Sequence, residues 1–247
     1  MQSNNRWIVH TKEHPRLRLF CLPYAGGGAS AFRLWGERLP WDVEVCPVYL
    51  PGREHRLREA AFTRLTSLVE ALAEGLRPTL DVPFAFFGHS MGALIGFELT
   101  RYLRRNALPM PMQLFVSAHR GPQLPMRRAP AHTLPDDELI DLLRRFGGTP
   151  QAVLQHAELM KIVLPVLRAD FELCETYSYQ PEAPLDCPIS AFGGEQDTQV
   201  NAQELQAWQQ QTLHTLTLHM FTGDHFFPHS QQALLLRTLS QQLGALV

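Results

Sequence analysis

The stretch FFGHSMGALIGFEL, residues 86–99, sets a serine between two glycines where an apolar run gives way to a helical pattern. FAFF, residues 84–87, reads as a buried strand, and MGALIGFELTRYLRR, residues 91–105, reads as a helix. A serine at that junction has two readings. As a helix N-cap it would only satisfy a free backbone N–H. As a nucleophile it would stand at the tip of an abrupt strand-to-helix turn, which the flanking glycines permit because they carry no β-carbon. The strand–turn–helix context favours the second, and Ser90 is the candidate nucleophile.

Outward from this turn, short apolar runs alternate with amphipathic ones. Strands are expected at 17–23, 43–50, 84–87, 113–118, 188–192 and 216–221, each bounded by Gly, Pro or polar residues. Helical patterning follows Gly28 and covers 62–76, then recurs at 91–105, 201–211 and 229–243. This rhythm is that of an α/β chain with a mostly parallel central sheet and helices on both faces. About 70 residues separate the fourth and fifth strands, far more than a connection needs. They read as short helices at 135–146, 150–156 and 159–177, the last with internal interruptions, so a helical lid is expected over approximately 122–180. The 247 residues suffice for one domain spanning 1–247.

A formal net charge of −2 and scattered basic residues, with a short helical cluster at Arg101, Arg104 and Arg105, leave no nucleic-acid footprint. No run has signal-peptide or membrane-span character, which points to a soluble, cytoplasmic protein without a membrane partner. Cys21, Cys46, Cys174 and Cys187 are too dispersed for a metal or redox motif and read as free thiols. No metal is expected; His225 and His229 have half of a ligand spacing, with nothing clustered to complete it.

A serine hydroxyl needs a base to take its proton and a carboxylate to hold that base in one tautomer. In the α/β-hydrolase chain order the acid precedes the histidine, and ISAFGGEQDTQV followed by HMFTGDHFF offers Asp197 and His225, each just past a strand. Glu195 and Asp224 are rival acids; His89, His119, His219 and His229 are rival bases. His219 lies within a strand, His229 opens a helix and His89 should point away from its neighbour Ser90, whereas His225 follows a Gly-Asp turn suited to a loop-mounted base. Two donors must meet the developing oxyanion. The amide of Met91, next to the nucleophile, is one; the amide of Ala25, in LPYAGGGASAF at residues 22–32, is the other. A phosphate cradle at that glycine run would require a motif the chain lacks.

Taken together, LPYAGGGASAF, LPGREHR, GHSMGAL, GGTP, LPVLRADFELCETY, FGGEQD and GDHFF resemble, in order, the signatures of the stand-alone type II thioesterases of nonribosomal peptide and polyketide synthesis. The resemblance spans residues 22–227. It implies hydrolysis of acyl groups from the phosphopantetheine thiol of acyl or peptidyl carrier protein domains. It implies no cofactor beyond the phosphopantetheine that the substrate carries, Ser90, Asp197 and His225 as the triad, and residues 24–26 as the oxyanion loop. Pro228 and Thr198 depart from the family pattern. Arg53 is expected to pair with a carboxylate, and Arg127 and Arg128 to be solvated or to meet an acidic carrier. A monomer is expected. A small-ester carboxylesterase or lipase, or a non-catalytic binding module on the same fold, are the alternatives.

Overall fold

Parallel strands buried on both faces must be apolar almost throughout; the first five expected runs form buried strands, and the sixth, Thr217–Phe221, is a partly exposed strand at the sheet edge. In the computed structural model, which describes residues 5–246, they are β1 (Leu17–Leu22), β2 (Val43–Pro47), β3 (Phe84–His89), β4 (Gln113–Ser117), β5 (Ile189–Gly194) and β6 (Thr217–Phe221). Residues 1–4 and 247, the outer ends of the one-domain expectation, lie outside the described residues. The strands make one sheet in the order β2-β1-β3-β4-β5-β6, with every neighbouring pair parallel.

Side chains alternate between two cores, as the period-two pleat requires. Phe20, Phe84, Phe86, Leu114 and Ile189 face α1 (Leu65–Leu76) and α2 (Met91–Arg105); Leu19, Phe87, Phe115 and Phe192 face α8 (Gln232–Gly244). Each fully buried Phe contributes about 1.5–3 kcal/mol. The second face also receives Phe32, Trp35 and Leu39, from the segment where helical patterning follows Gly28. That segment forms only two short 3-10 turns, Ala29–Phe32 and Trp35–Glu37. Gly36 and Pro40 leave no room for a longer α-helix, and the three-residue spacing of Phe32 and Trp35 suits three residues per turn.

The helical region at 201–211 divides into α6 (Ala202–Gln206) and a 3-10 turn, and the last helical region divides into α7 (Phe227–Ser230) and α8. Between β4 and β5 run α3 (Asp136–Phe146), α4 (Gln151–Leu154) and α5 (Ala157–Glu175), with a small core of their own around Leu139, Leu143, Leu164 and Leu167. Contrary to the expected interruptions, α5 is continuous. Its Pro165 is on the exposed face, where water can satisfy the carbonyl one turn back. Among the described residues no helix is long and apolar enough to cross a membrane.

The cationic cluster on α2 has an intramolecular use. Arg101, Arg104 and Arg105 all reach Glu182, on the segment returning from α5 to the sheet, at 2.7–2.8 Å. Burial raises the Glu182 carboxyl, but the hydrogen bonds from Arg104, Arg101 and Arg105 outweigh it and hold the group down to about 2. The folded value lies below the unfolded one, so this stabilisation is present above the ordinary carboxylate range and is lost as pH falls toward 2. Glu182→Gln is therefore expected to destabilise the protein by about 1–2 kcal/mol at pH 7, after allowance for solvent screening. The deficit should shrink between about pH 4.5 and pH 2. Urea denaturation of both proteins across this range checks it; a deficit independent of pH would exclude the ionic origin.

Candidate active site

The sheet delivers Ser90 to its carboxyl edge. Immediately after β3, Ser90 adopts φ +52° and ψ −115°, a strained backbone for a residue with a β-carbon. Both flanking glycines are required by close approach. A β-carbon on Gly88 would overlap the Gly92 carbonyl, and one on Gly92 would overlap the Leu22 carbonyl, backbone atoms that cannot swing aside. The amide of Ser90 donates to Ser117 O on β4 at 2.7 Å, fixing the turn to the neighbouring strand.

Asp197 follows β5 and His225 follows β6, so both arrive at the same edge. His225 Nε2 is 3.1 Å from Ser90 Oγ, and His225 Nδ1 is 2.8 Å from Asp197 Oδ2. The Asp197 side chain is fully buried and that of His225 is 7 % exposed. The other carboxylate oxygen, Oδ1, accepts the backbone N–H groups of Gln199 and Val200 at 2.7 and 3.2 Å. A carboxylate anchored at one oxygen presents the other to Nδ1–H, which leaves Nε2 unprotonated and facing the hydroxyl. Thr198, where the sequence departs from the family pattern, interrupts neither bond. Pro228 occupies the first turn of α7, where its missing N–H is no loss.

The rivals are engaged elsewhere. Glu195 reaches Thr222, and Asp224 caps the Phe226 amide. His89 bonds Ser117 Oγ at 2.9 Å, and burial pushes its imidazole well down, so it stays neutral. His219 stacks on Phe192 and His229 approaches the Tyr24 hydroxyl. His119 lines the cavity, but its Nδ1 bonds the Arg120 carbonyl, and burial with the adjacent Arg120 cation pushes it down to about 3.

Ala25 and Met91 both line the same cavity as Ser90, and neither backbone N–H has an acceptor among the described residues. The loop carrying Ala25 is held by charge. The amide of Gly26, at φ +76°, donates to Asp170 Oδ2 at 2.7 Å; Arg53 clasps Asp170 at 2.7 and 2.8 Å and donates to Gly27 O at 2.9 Å. Sequence patterning foresaw a carboxylate for Arg53 but not that it would come from α5. The available signal was an aspartate between Ala169 and Phe171 on a buried helical face. The amides of Ala29 and Ser30, at the turn that follows Gly28, are taken by the chain's own Glu54, which accepts from both.

Arg53 and Asp170 are both nearly inaccessible, so Arg53→Met strands a buried carboxylate. A loss of about 3–5 kcal/mol is expected in urea denaturation. Arg53→Met with Asp170→Leu should recover part of it, since no unpaired charge then remains. A loss below about 1 kcal/mol would reduce the pair to a surface-like contact.

The cavity measures about 550 Å³ and extends from Ser90 under α3–α5, with Leu143, Phe146, Val153, Val163 and Leu167 among its apolar walls. Cys174 also lines it, but burial pushes its thiol up to about 12, so it is no thiolate at neutral pH. All four cysteines are free. Arg127 is exposed and paired with Glu204, while Arg128 pairs with Glu175 and stands over the rings of Phe146 and Phe171.

Residues 17–243 match the thioesterase domain family. The chain is 47% identical over 241 residues to the gramicidin S biosynthesis protein GrsT of Aneurinibacillus migulanus, covering 97% of this chain and 94% of that one. It superposes with a TM-score of 0.86 on RedJ, the thioesterase of the prodiginine pathway in Streptomyces coelicolor, at 43% identity over 92% of this chain and 90% of RedJ. The type II thioesterase BorB of the borrelidin cluster gives a TM-score of 0.88 at 34% identity, over 96% and 98% of the two chains. A parallel sheet of this order with helices on both faces is the α/β-hydrolase fold of these enzymes, and with the family match over nearly its whole length the chain belongs to the thioesterase domain family, enzymes that hydrolyse thioesters.

Proposed function

We propose that this protein is a type II thioesterase that removes acyl groups from the phosphopantetheine thiol of carrier protein domains in nonribosomal peptide or polyketide synthesis, clearing misprimed or stalled chains. The observation that carries the reading is the line Ser90 Oγ, His225 Nε2, His225 Nδ1, Asp197 Oδ2, with contacts of 3.1 and 2.8 Å at the floor of an apolar cavity. The kinship with GrsT, RedJ and BorB supports the substrate class.

Ser90 Oγ attacks the thioester carbonyl carbon as its proton passes to His225 Nε2. The carbonyl oxygen, now negative, takes hydrogen bonds from the amides of Ala25 and Met91, each worth about 10²–10³ in rate. The carbon–sulfur bond breaks, and the imidazolium returns its proton to the departing pantetheine sulfur. Water then gives a proton to Nε2, attacks the acyl-serine and releases the acid, and the proton returns to Oγ. No cofactor of the protein's own is needed, since the thiol arrives with the substrate. The insertion carrying α3–α5 serves as the lid of a single α/β-hydrolase unit acting as a cytoplasmic monomer.

Hydrolysis rates on an acyl group loaded on a carrier protein, and on the same acyl group as a simple oxygen ester, test the reading. A preference for the carrier thioester is expected; a strong preference for the ester would make the protein a carboxylesterase.

A further inference from the structure

Three arginines line the cavity that holds Ser90: Arg120, Arg127 and Arg128. They lie close together, since Arg127 and Arg128 both bear electrostatically on the Arg120 guanidinium. Two carboxylates answer them. Glu204 Oε1 is 3.0 Å from Arg127 Nε, and its other oxygen takes the Asn201 amide. Glu175 is 3.3 Å from Arg128 Nη2 and also accepts from the Ala131 amide and from both the amide and ring of His132. The remaining titratable neighbours, His119 and Cys174, are neutral at pH 7 because burial pushes the imidazole down and the thiol up. One positive charge is left over.

Arg127 is mostly exposed to solvent and Glu204 also acts on Arg120 from beyond ion-pair distance, but Arg120 is the one of the three without a direct carboxylate partner among the described residues. Its Nε donates to the Leu124 carbonyl at 3.2 Å, and no carboxylate among the described residues lies within ion-pair distance of it. Arg128 adds a second unfilled donor, because its Nη1 is buried without an acceptor. A half-buried guanidinium facing a cavity with only one neutral partner is costly unless an anion completes it. Arg120 is also near the chemistry. It stands three residues past Ser117, whose carbonyl receives the Ser90 amide, so its Cα is within about 11 Å of that residue.

We propose that Arg120, with Arg128 beside it, forms a subsite for an oxyanion of the substrate, a carboxylate or a phosphate, within the cavity served by Ser90. Resting on the thioesterase reading above, it narrows the substrate to one whose second anionic group lies along the cavity. That group is either a carboxylate at the far end of a dicarboxylic acyl chain or the phosphate of the pantetheine arm.

Thioesters of glutarate and of 5-methylhexanoate, whose terminal methyl groups fill the space of the carboxylate oxygens without the charge, are presented on pantetheine and on 4′-phosphopantetheine. The readout is the ratio of kcat/KM within each charged and uncharged pair, taken separately for wild type, Arg120→Met and Arg120→Lys. Wild type should prefer the charged member of one pair by about 10- to 100-fold. Arg120→Met should bring that ratio to within about threefold of unity, and Arg120→Lys should keep most of it. A ratio that collapses in the glutarate pair assigns the subsite to the acyl terminus; one that collapses in the phosphate pair assigns it to the arm. If neither ratio differs by more than about threefold between wild type and Arg120→Met, the subsite is overturned. Ratios within one protein cancel any general loss of folded enzyme. Absent wild-type turnover of all four thioesters would sink the thioesterase reading instead, and the same ratios would then be taken from dissociation constants with Ser90→Ala protein.

Discussion

Ser90→Ala is expected to lower single-turnover hydrolysis of an acyl-carrier thioester by about a millionfold, the loss seen when a nucleophile that acts as one unit with its base is removed. The fold should survive. Among the described residues the only side-chain bond lost is the one from Ser90 Oγ to His225 Nε2, and alanine meets the same backbone strain at φ +52° that serine already bears. A thermal transition within a few degrees of wild type is therefore the matching control, with failure of a fluorophosphonate probe to label the variant as a second. Retention of more than about a hundredth of the wild-type rate would mean that another group attacks the carbonyl. The cavity offers poor substitutes. Cys174 is a protonated thiol, and Thr149 and Thr198 line the cavity without an imidazole bonded to them.

The scaffold around this serine was largely legible because a buried parallel strand leaves an unambiguous trace, a short apolar run closed by glycine, proline or a polar residue. Each of the six strands begins within one residue of its expected start, and α2 has the expected bounds. The three side chains of the candidate triad were likewise readable, because loops leaving the carboxyl ends of β3, β5 and β6 must converge on one edge. What escaped was set by packing between distant segments. Asp170 gives no local sign that it will hold the Gly26 amide, and Glu54 gives none that it will cap the turn after Gly28. The continuity of α5 through Pro165 depends on which face meets water, a tertiary property. Arg128 is half-buried over Phe146 and Phe171 rather than fully solvated, because α3 and α5 bring those rings to it.

Asp197→Asn tests a finer point, the tautomer of the base, and is expected to cost about 10⁴ in kcat with little loss of stability. The two oxygens of Asp197 are not equivalent. Oδ1 is committed to the amides of Gln199 and Val200, two donors that only an oxygen can satisfy. Asparagine must therefore turn its carbonyl toward those amides and its NH₂ toward His225 Nδ1. A donor at that place forces Nδ1 to accept, which moves the ring proton to Nε2, where it faces Ser90 Oγ and cannot take the hydroxyl proton. Asp197→Ala removes the carboxylate without imposing the wrong tautomer, so it should lose less activity than Asp197→Asn although it removes more atoms. It should lose more stability, since the Gln199 and Val200 amides are left without their acceptor. Steady-state rates and urea denaturation of the two variants give opposite rankings if the backbone-anchored carboxylate sets the imidazole tautomer. If Asp197→Asn retained more activity than Asp197→Ala, the carboxylate would be serving to place the ring rather than to choose its proton.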